Sequence, residues 1–268
     1  MKNTVLKIFS GSSHPELANN IAKNLKMKVS ETVRSRFASN EIYIKPLETV
    51  RGAEVFVVQT SSDKVNDDLM ELFIFVDALK RSGALKVNVV MPYFAYSRQD
   101  RVASAREPIS AKVVARLMAT AGIEHLTALN LHSDQVQGFF DFPVDNLSAT
   151  KLLVNYFKAK KFKDLVVVAP DTSAARNAKQ YADMLGADLA VLHKQRPGHN
   201  KAEITQVVGD IVGKTCLLID DMIDTGGTVC AGKKALIEKG ANKDVYLAAV
   251  HPIFSGKAVS NLVEAGFK

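Results

Sequence analysis

Cys216-Leu-Leu-Ile-Asp220-Asp221-Met-Ile-Asp224-Thr225-Gly226-Gly227-Thr228 sets paired carboxylates at the end of an apolar run, with a glycine turn just after them. A strand buried on both faces reads as a continuous apolar run, so Thr215–Ile219 is predicted as a parallel strand with Asp220 and Asp221 at its carboxyl end. Gly226 and Gly227 let backbone N–H groups approach an anion, and the following helix begins there with the positive end of its dipole. Thr225 and Thr228 add hydroxyl donors. Amides and hydroxyls hold a phosphate, and carboxylates accept hydrogen bonds from ribose hydroxyls, which is the chemistry of a sugar-phosphate cradle. The bland alternative is an acidic turn that caps a helix through Asp224 or Thr225. Two acids followed by Asp-Thr-Gly-Gly-Thr favour the cradle.

Other residues have a chemistry of their own. Arg98 and Gln99 follow a predicted strand end; a guanidinium fork suits phosphate, and a glutamine amide can read a purine edge. Lys194-Gln195-Arg196-Pro197-Gly198-His199-Asn200 is polar and carries Pro and Gly between two predicted strands. Lys194 and Arg196 are two apart, so an extended loop aims both to one side. Read alone, the segment is a mobile basic surface loop. Phe37 alone is more often core than a stacking platform, and a lone His132 is more often a hydrogen-bonded structural residue.

The elements that must position these residues alternate throughout: short apolar runs, then longer helical patterns, as in parallel α/β layers. Strands are predicted at Val5–Phe9, Val55–Gln59, Val87–Met91, Leu126–Leu131, Leu165–Ala169, Leu189–Leu192, Thr215–Ile219 and Val245–Val250. Helices are predicted at His14–Leu25, around Asp67–Lys80, and at Ser110–Thr120, Ser148–Ala159 and Ala174–Leu185. A polar turn near Pro143–Ser148 is the expected boundary, giving domains at 1–146 and 147–268. The 268 residues, 47% of them hydrophobic, suffice for two cores.

No apolar run approaches the ~20 residues that span a bilayer, and Met-Lys-Asn-Thr leads straight into a strand without a signal-peptide pattern. A cytoplasmic protein that engages no membrane is expected. Cys216 and Cys230 are the only cysteines and read as buried free thiols in a reducing compartment. The surplus of 35 basic over 28 acidic residues, +7, comes without a DNA-binding motif or an aromatic-interleaved basic stripe. Clustered arginines serve polyphosphates equally well, so no nucleic-acid partner is expected.

The Asp220–Thr228 segment resembles the PRPP loop shared by phosphoribosyltransferases and ribose-phosphate pyrophosphokinases. Pro92-Tyr93-Phe94-Ala95-Tyr96-Ser97-Arg98-Gln99-Asp100-Arg101, Arg106–Lys112 and Asn130-Leu131-His132 through Gln137-Gly138-Phe139-Phe140-Asp141 resemble the pyrophosphokinase branch, and the likeness runs from Ile8 to about Gly256. The resemblance implies an α/β fold of two similar doubly wound parallel-sheet domains, phosphoribosyltransferase-like, with the active site between them. The first would serve ATP binding and oligomerisation, the second ribose 5-phosphate.

The implied reaction moves the β,γ-diphosphoryl group of ATP onto the anomeric hydroxyl of ribose 5-phosphate, releasing AMP, with Mg2+ as cofactor. Lys194 and Arg196 would close over the transferring group as catalytic residues. Phe37, Glu41, Arg98, Gln99 and His132 would bind ATP, with Phe37 stacked on adenine and Glu41 accepting from its amino group. Asp220, Asp221, Asp224, Thr225, Gly226, Gly227 and Thr228 would hold ribose 5-phosphate, and His132 with Asp171 the metal.

Departures accompany the resemblance. The family usually carries Asp and Gly where Ser39 and Asn40 stand, Gly-Gly where Ser173-Ala174 stand, and an acidic residue at His193. It also usually continues beyond this point with another strand and a closing helix, so an exposed or oligomer-covered sheet edge is expected. The family implies a homohexamer built from dimers. Asp100, Arg101 and Gln135 match positions near subunit contacts and a phosphate or ADP regulatory site. Two alternatives stand beside this reading: a catalytically silent nucleotide-binding regulatory subunit, and a phosphoribosyltransferase that consumes PRPP.

Overall fold

The computed structural model describes residues 4–198 and 201–268, with the side chains of 194–205 outside that description. The chain divides into two compact units, one ending at Leu147 and the other beginning at Ser148.

The first unit runs β1 (Leu6–Ser10), α1 (Pro15–Asn24), β2 (Thr32–Arg36), β3 (Ile42–Pro46), β4 (Glu54–Val58), α2 (Val65–Arg81), β5 (Lys86–Val90), α3 (Ser110–Ala121), β6 (His125–Leu129), a 3-10 turn (Asp134–Phe139) and β7 (Val144–Leu147). Its five-stranded parallel sheet has the order β1-β4-β5-β6-β7. Successive side chains point to opposite faces of a strand. Val55, Val57, Val87, Val89 and Leu126 therefore meet Leu72, Phe75 and Leu79 of α2 and Met118 of α3 on one face. Ile8 and Val58 meet Ala18 and Ala22 of α1 on the other.

Two elements here run against expectation. The antiparallel pair β2–β3 has no counterpart among the predicted strands, because β2 is exposed along most of its length and lacks a buried alternating face. Only Ile44 of β3 enters the core. The polar turn expected near Pro143–Ser148 is instead β7, in register with β6 from Leu126↔Val144 to Leu129↔Leu147. As an outer strand it buries little and so carries a weak apolar signal.

The second unit runs α4 (Thr150–Ala159), β8 (Leu165–Ala169), α5 (Ala175–Leu185), β9 (Asp188–Gly198), β10 (Lys201–Val208), β11 (Thr215–Ile223), α6 (Gly227–Glu238), β12 (Tyr246–Pro252) and α7 (Ala258–Ala265). Its sheet order is β10-β9-β8-β11-β12, so the chain starts in the middle and builds outward both ways. Val167, Ala169, Leu217 and Ile219 pack under Phe157 of α4 and Tyr181 of α5. Val166, Val168, Cys216 and Leu218 face Leu236 of α6. Gly232 lets α6 lie close to the sheet, since a Cβ there would come within 2.9 Å of Leu192 Cδ1. Both units are thus α/β layers with helices on both faces of a largely parallel sheet.

Two strands run well past their predicted ends. β11 continues through Asp220 and Asp221 to Ile223, because β12 accompanies it as far as Ile223↔Pro252 after β8 has stopped at Leu218↔Val168. β9 runs to Gly198 and pairs antiparallel with β10, so the loop expected at Lys194–Asn200 is strand as far as it is described. The register shifts between Lys201 and Glu203, opposite Arg196 and Pro197. Proline is tolerated at such irregularities, which is why its presence did not end the strand.

Candidate active site

In the second unit the strand order reverses between β8 and β11. Open α/β sheets bind ligands beyond the carboxyl ends of the strands at such a reversal. Asp171 follows β8 there, and Asp220 and Asp221 lie on the outer part of β11. Asp220 senses the other two carboxylates. Burial, followed by a hydrogen bond with Asp221 and that residue's charge, pushes Asp220 up to about 8, and Asp171 acts in the same direction. The Asp221 N–H donating to Asp220 Oδ1 at 2.9 Å works the other way and is overcome. A half-buried acid pair that resists full ionisation is suited to hydrogen-bonding hydroxyls or to meeting a cation.

The turn after β11 leads into α6 through Gly226, which has φ +75° and stands at the cap position. A side chain there would be strained by its backbone alone. Neither Asp224 nor Thr225 occupies the cap, so the acidic-cap alternative gives way to a helix N-terminus entered through glycine.

The turn is braced from behind. Ile253 and Phe254 donate their N–H groups to the Ile223 carbonyl at 2.9 and 3.1 Å, and Ser255 donates to the Asp224 carbonyl at 3.0 Å. Asn261 Nδ2 on α7 reaches the Thr225 carbonyl at 3.4 Å, while the Cys230 thiol donates to the Asn261 carbonyl at 3.6 Å. Sequence reasoning passed over this brace: a polar Phe-Ser-Gly turn marks its first half, and nothing in the sequence marks Asn261.

At the start of α5 the Asp171 carboxylate accepts from the N–H groups of Ser173 at 2.9 Å and Ala174 at 3.0 Å. Ala174 has φ −78°, and Ser173 is not among the residues with positive φ. The segment therefore offers two amides to an anion in a conformation open to ordinary side chains, and glycine is not required. In this structure Asp171 itself takes both amides.

Lys194 and Arg196 lie two apart on β9, and their side chains are outside the described ones, as is all of His199. His193, just before them, is exposed.

The first unit carries its candidate residues on connections. Phe37 and Glu41 sit in the turn between β2 and β3, where Phe37 is 57% exposed and meets Tyr43 edge to face at 5.8 Å between ring centroids. Phe37 is thus not core. Arg98 and Gln99 are exposed in the long connection from β5 to α3. Tyr96, with φ +63°, accepts the Gln99 N–H at 2.9 Å on its carbonyl, and its hydroxyl donates to Asn66 Oδ1 at 2.5 Å. Ser110 donates to the Gln99 side-chain carbonyl.

His132 is exposed three residues past the end of β6, which stops at Leu129 rather than at the predicted Leu131. Its neighbour Ser133 donates to Asp100 Oδ2 at 2.6 Å. This ties together the Arg98–Arg101 and His132–Gln137 segments, which the sequence alone left unconnected. Gln135 lies exposed in the 3-10 turn.

Among the described residues, no three of His, Cys, Asp and Glu are arranged to hold a metal ion. No helix among them is long and apolar enough to cross a membrane. Cys216 and Cys230 are both free, the first buried with its thiol pushed up to about 11 by that burial, the second half-buried.

Comparison with known proteins gives consistent results. Residues 6–122 match the family described as the N-terminal domain of ribose phosphate pyrophosphokinase, and residues 145–258 match the phosphoribosyl transferase domain. A ribose-phosphate pyrophosphokinase of Fusobacterium nucleatum is 46% identical over 265 residues, covering 98% of this chain and 84% of that protein. One of Bacillus subtilis is 46% identical over 263 residues, covering 98% and 83%. The crystal structure of phosphoribosylpyrophosphate synthetase from Mycobacterium smegmatis superimposes with a TM-score of 0.92 at 44% identity, covering 98% of this chain and 87% of that one.

Proposed function

The chain belongs to the ribose-phosphate pyrophosphokinase family, and we propose that it transfers the β,γ-diphosphoryl group of ATP to the anomeric hydroxyl of ribose 5-phosphate, giving PRPP and AMP for nucleotide biosynthesis. The observation that carries this reading is the meeting of Asp171, Asp220 and Asp221 at the β8/β11 reversal, with a glycine-entered helix N-terminus immediately after.

In this reading Asp220 and Asp221 accept from the ribose hydroxyls, and the amides at Gly226, Gly227 and Thr228 hold the 5-phosphate with help from Thr225 and Asp224. Phe37, Glu41, Arg98, Gln99 and His132 hold ATP. Lys194 and Arg196 stabilise charge on the transferring group, the kind of electrostatic help that phosphoryl chemistry needs more than covalent assistance.

Magnesium suits the donor set. Asp171 offers hard carboxylate oxygens just past β8, and this ion keeps several waters of its own, so it needs few protein ligands rather than a full protein cage. Asp171 and His132 would hold it. When bound, it would neutralise polyphosphate charge. Before any ligand enters, Asp171 holds the Ser173 and Ala174 amides in place; a diphosphate taking those amides would release the carboxylate.

The same reading carries a homohexamer built from dimers, a cytoplasmic location, and no nucleic-acid or membrane partner. Sedimentation of the purified protein tests the first of these.

The occupied Ser173 and Ala174 amides also favour a second reading, a nucleotide-binding regulatory subunit without activity. The reaction itself separates the two. Incubation with ATP, magnesium and ribose 5-phosphate is expected to yield AMP and PRPP in equal amounts. ADP as the nucleotide product would exclude diphosphoryl transfer, and no turnover at all would favour the silent subunit. A phosphoribosyltransferase, which would consume PRPP with a nucleobase, leaves the whole 6–122 match without a role.

A further inference from the structure

Lys233 of α6 is 6% exposed, although lysine is among the residues least often buried without a partner. Burial pulls its ammonium below the ordinary lysine value, and the charge of Asp244 offsets only part of that. The proposed chemistry gives this side chain no role. Its Nζ donates to the Gly266 carbonyl at 2.5 Å and lies 5.0 Å from the centre of the Phe267 ring. Gly266, with φ +65°, closes the carboxyl end of α7, and its N–H turns back to the Leu262 and Val263 carbonyls at 3.2 and 3.0 Å. A cation at that end meets the negative pole of the helix and a carbonyl with no partner inside it.

α7 needs such a hold. Its eight residues are too few for a helix to persist alone in water. Ala258 is buried, but Val259 and Val263 stand in solvent. Yet this helix is the floor of the glycine turn. A Cβ on Gly226 would lie 3.5 Å from Leu262 Cγ and 3.6 Å from the Ala258 carbonyl oxygen. The contacts advance along α6 and α7 together: Gly226 with Ala258 and Leu262, Cys230 with Asn261, Lys233 with Gly266. The first of these is van der Waals packing, and the Cys230 thiol is a weak donor at 3.6 Å. The bond from the ammonium is charge-assisted and short, so it is the strongest tie between the two helices.

We propose that Lys233 is a positioning residue for the sugar-phosphate site: by holding the carboxyl end of α7, it keeps that helix beneath Gly226 and fixes the backbone that carries the Thr225–Thr228 amides and hydroxyls. The inference rests on the reading of Asp220–Thr228 as the ribose 5-phosphate site. It implies that the lysine serves the geometry of the turn rather than the stability of the unit. Replacing buried charge with apolar side chains of similar volume is often neutral or stabilising, so the two roles can be separated.

The test uses the purified full chain and Lys233→Met, which keeps the volume and removes the charge and the donor. The melting temperature should stay within about 3 °C of the unsubstituted protein. Amide hydrogen exchange, read without ligand, should speed up at least about fivefold over residues 223–230 and 258–266 and stay unchanged over 165–169 on β8. In calorimetry ribose 5-phosphate binding should weaken at least about fivefold, with ATP binding within about twofold. Asn261→Ala acts on the same helix, so adding it to Lys233→Met should weaken ribose 5-phosphate binding no more than about twofold further. Unchanged exchange over 223–230 in Lys233→Met overturns the proposal. So does a melting temperature lower by more than about 8 °C with exchange raised across the whole second unit, which would make the lysine a support of the fold. Full additivity of the two substitutions also overturns it. Absence of ribose 5-phosphate binding by the unsubstituted protein would sink the site assignment on which the proposal stands, and exchange over 223–230, which needs no ligand, tells the two failures apart.

Discussion

In the first unit the parallel strands cross the sheet in chain order, β1 to β4 to β5 to β6 to β7, whereas in the second the order reverses between β8 and β11. That difference decides how each unit builds a site. A reversal sends the connections on either side of it in opposite directions and leaves a crevice, and the second unit fills that crevice with Asp171, Asp220 and Asp221. With no reversal to use, the first unit carries its candidate residues on a hairpin turn and two long connections. These are stiffened by local hydrogen bonds such as Ser133 to Asp100 and Ser110 to Gln99. The fold itself positions the residues proposed for the sugar phosphate, while turn chemistry positions those proposed for the nucleotide.

Substitutions that strike one unit and leave the other unit's ligand untouched would sharpen that contrast. The largest effect is expected from Lys194→Ala on β9: kcat should fall by roughly 100- to 1,000-fold, as when a single charge-stabilising donor is removed. Equilibrium binding of ATP and of ribose 5-phosphate should stay within about threefold, as expected of a group that acts mainly in the transition state. A matching loss of binding in calorimetry would break the assignment.

Next comes Gly226→Val. The left-handed backbone there costs a β-branched residue roughly 1–2 kcal/mol or more, so the variant should unfold at lower denaturant. It should also bind ribose 5-phosphate at least about tenfold more weakly, with ATP binding unchanged. Equal loss for both ligands would mean that the glycine serves stability alone.

Phe37→Ala is the mirror experiment in the first unit. Loss of an aromatic stacking platform is worth about 1–3 kcal/mol per base, so ATP binding should weaken by roughly 5- to 150-fold while ribose 5-phosphate binding holds. Phe37 is exposed, so the melting temperature should barely move. An unaffected ATP affinity would remove the ring from the nucleotide site.

The last effect concerns pH. Asp220 is raised from an ordinary 3.8 to about 8 in the folded protein. Between those values the folded state holds a proton that the unfolded state has lost, so this group's contribution to stability falls as pH rises from about 4 to about 8. Asp220→Asn removes the titration. Its melting temperature, measured without ligands, should gain on that of the unsubstituted protein across that window and level off above it. A gap that does not change with pH would show that the carboxylate is not held back by burial and its neighbours.

The parallel α/β layers were readable because strands buried on both faces, such as Leu165–Ala169 and Thr215–Ile219, carry unbroken apolar runs. The strand end and glycine-entered helix at Asp220–Thr228 were readable as a candidate site because paired acids and paired glycines at one strand end are an uncommon combination. What escaped the sequence escaped for physical reasons. β2 is exposed and polar, so nothing distinguishes it from a loop. β7 is an outer strand with little burial. β9 passes through Arg196 and Pro197 because its antiparallel partner shifts register opposite them. The reach of β11 to Ile223 depends on β12, a partner remote in sequence. The Asn261 brace and the Lys233–Gly266 hydrogen bond are tertiary contacts that no periodicity encodes.

The position of bound ribose 5-phosphate tests the central claim most directly. A crystal structure of the protein grown with that ligand should show the 5-phosphate on the amides of Gly226, Gly227 and Thr228 and the ribose hydroxyls within hydrogen-bond reach of Asp220 and Asp221. Ligand density on the β2–β3 turn or at the Arg98–Gln99 connection, with the Asp220–Thr228 segment empty, would contradict it.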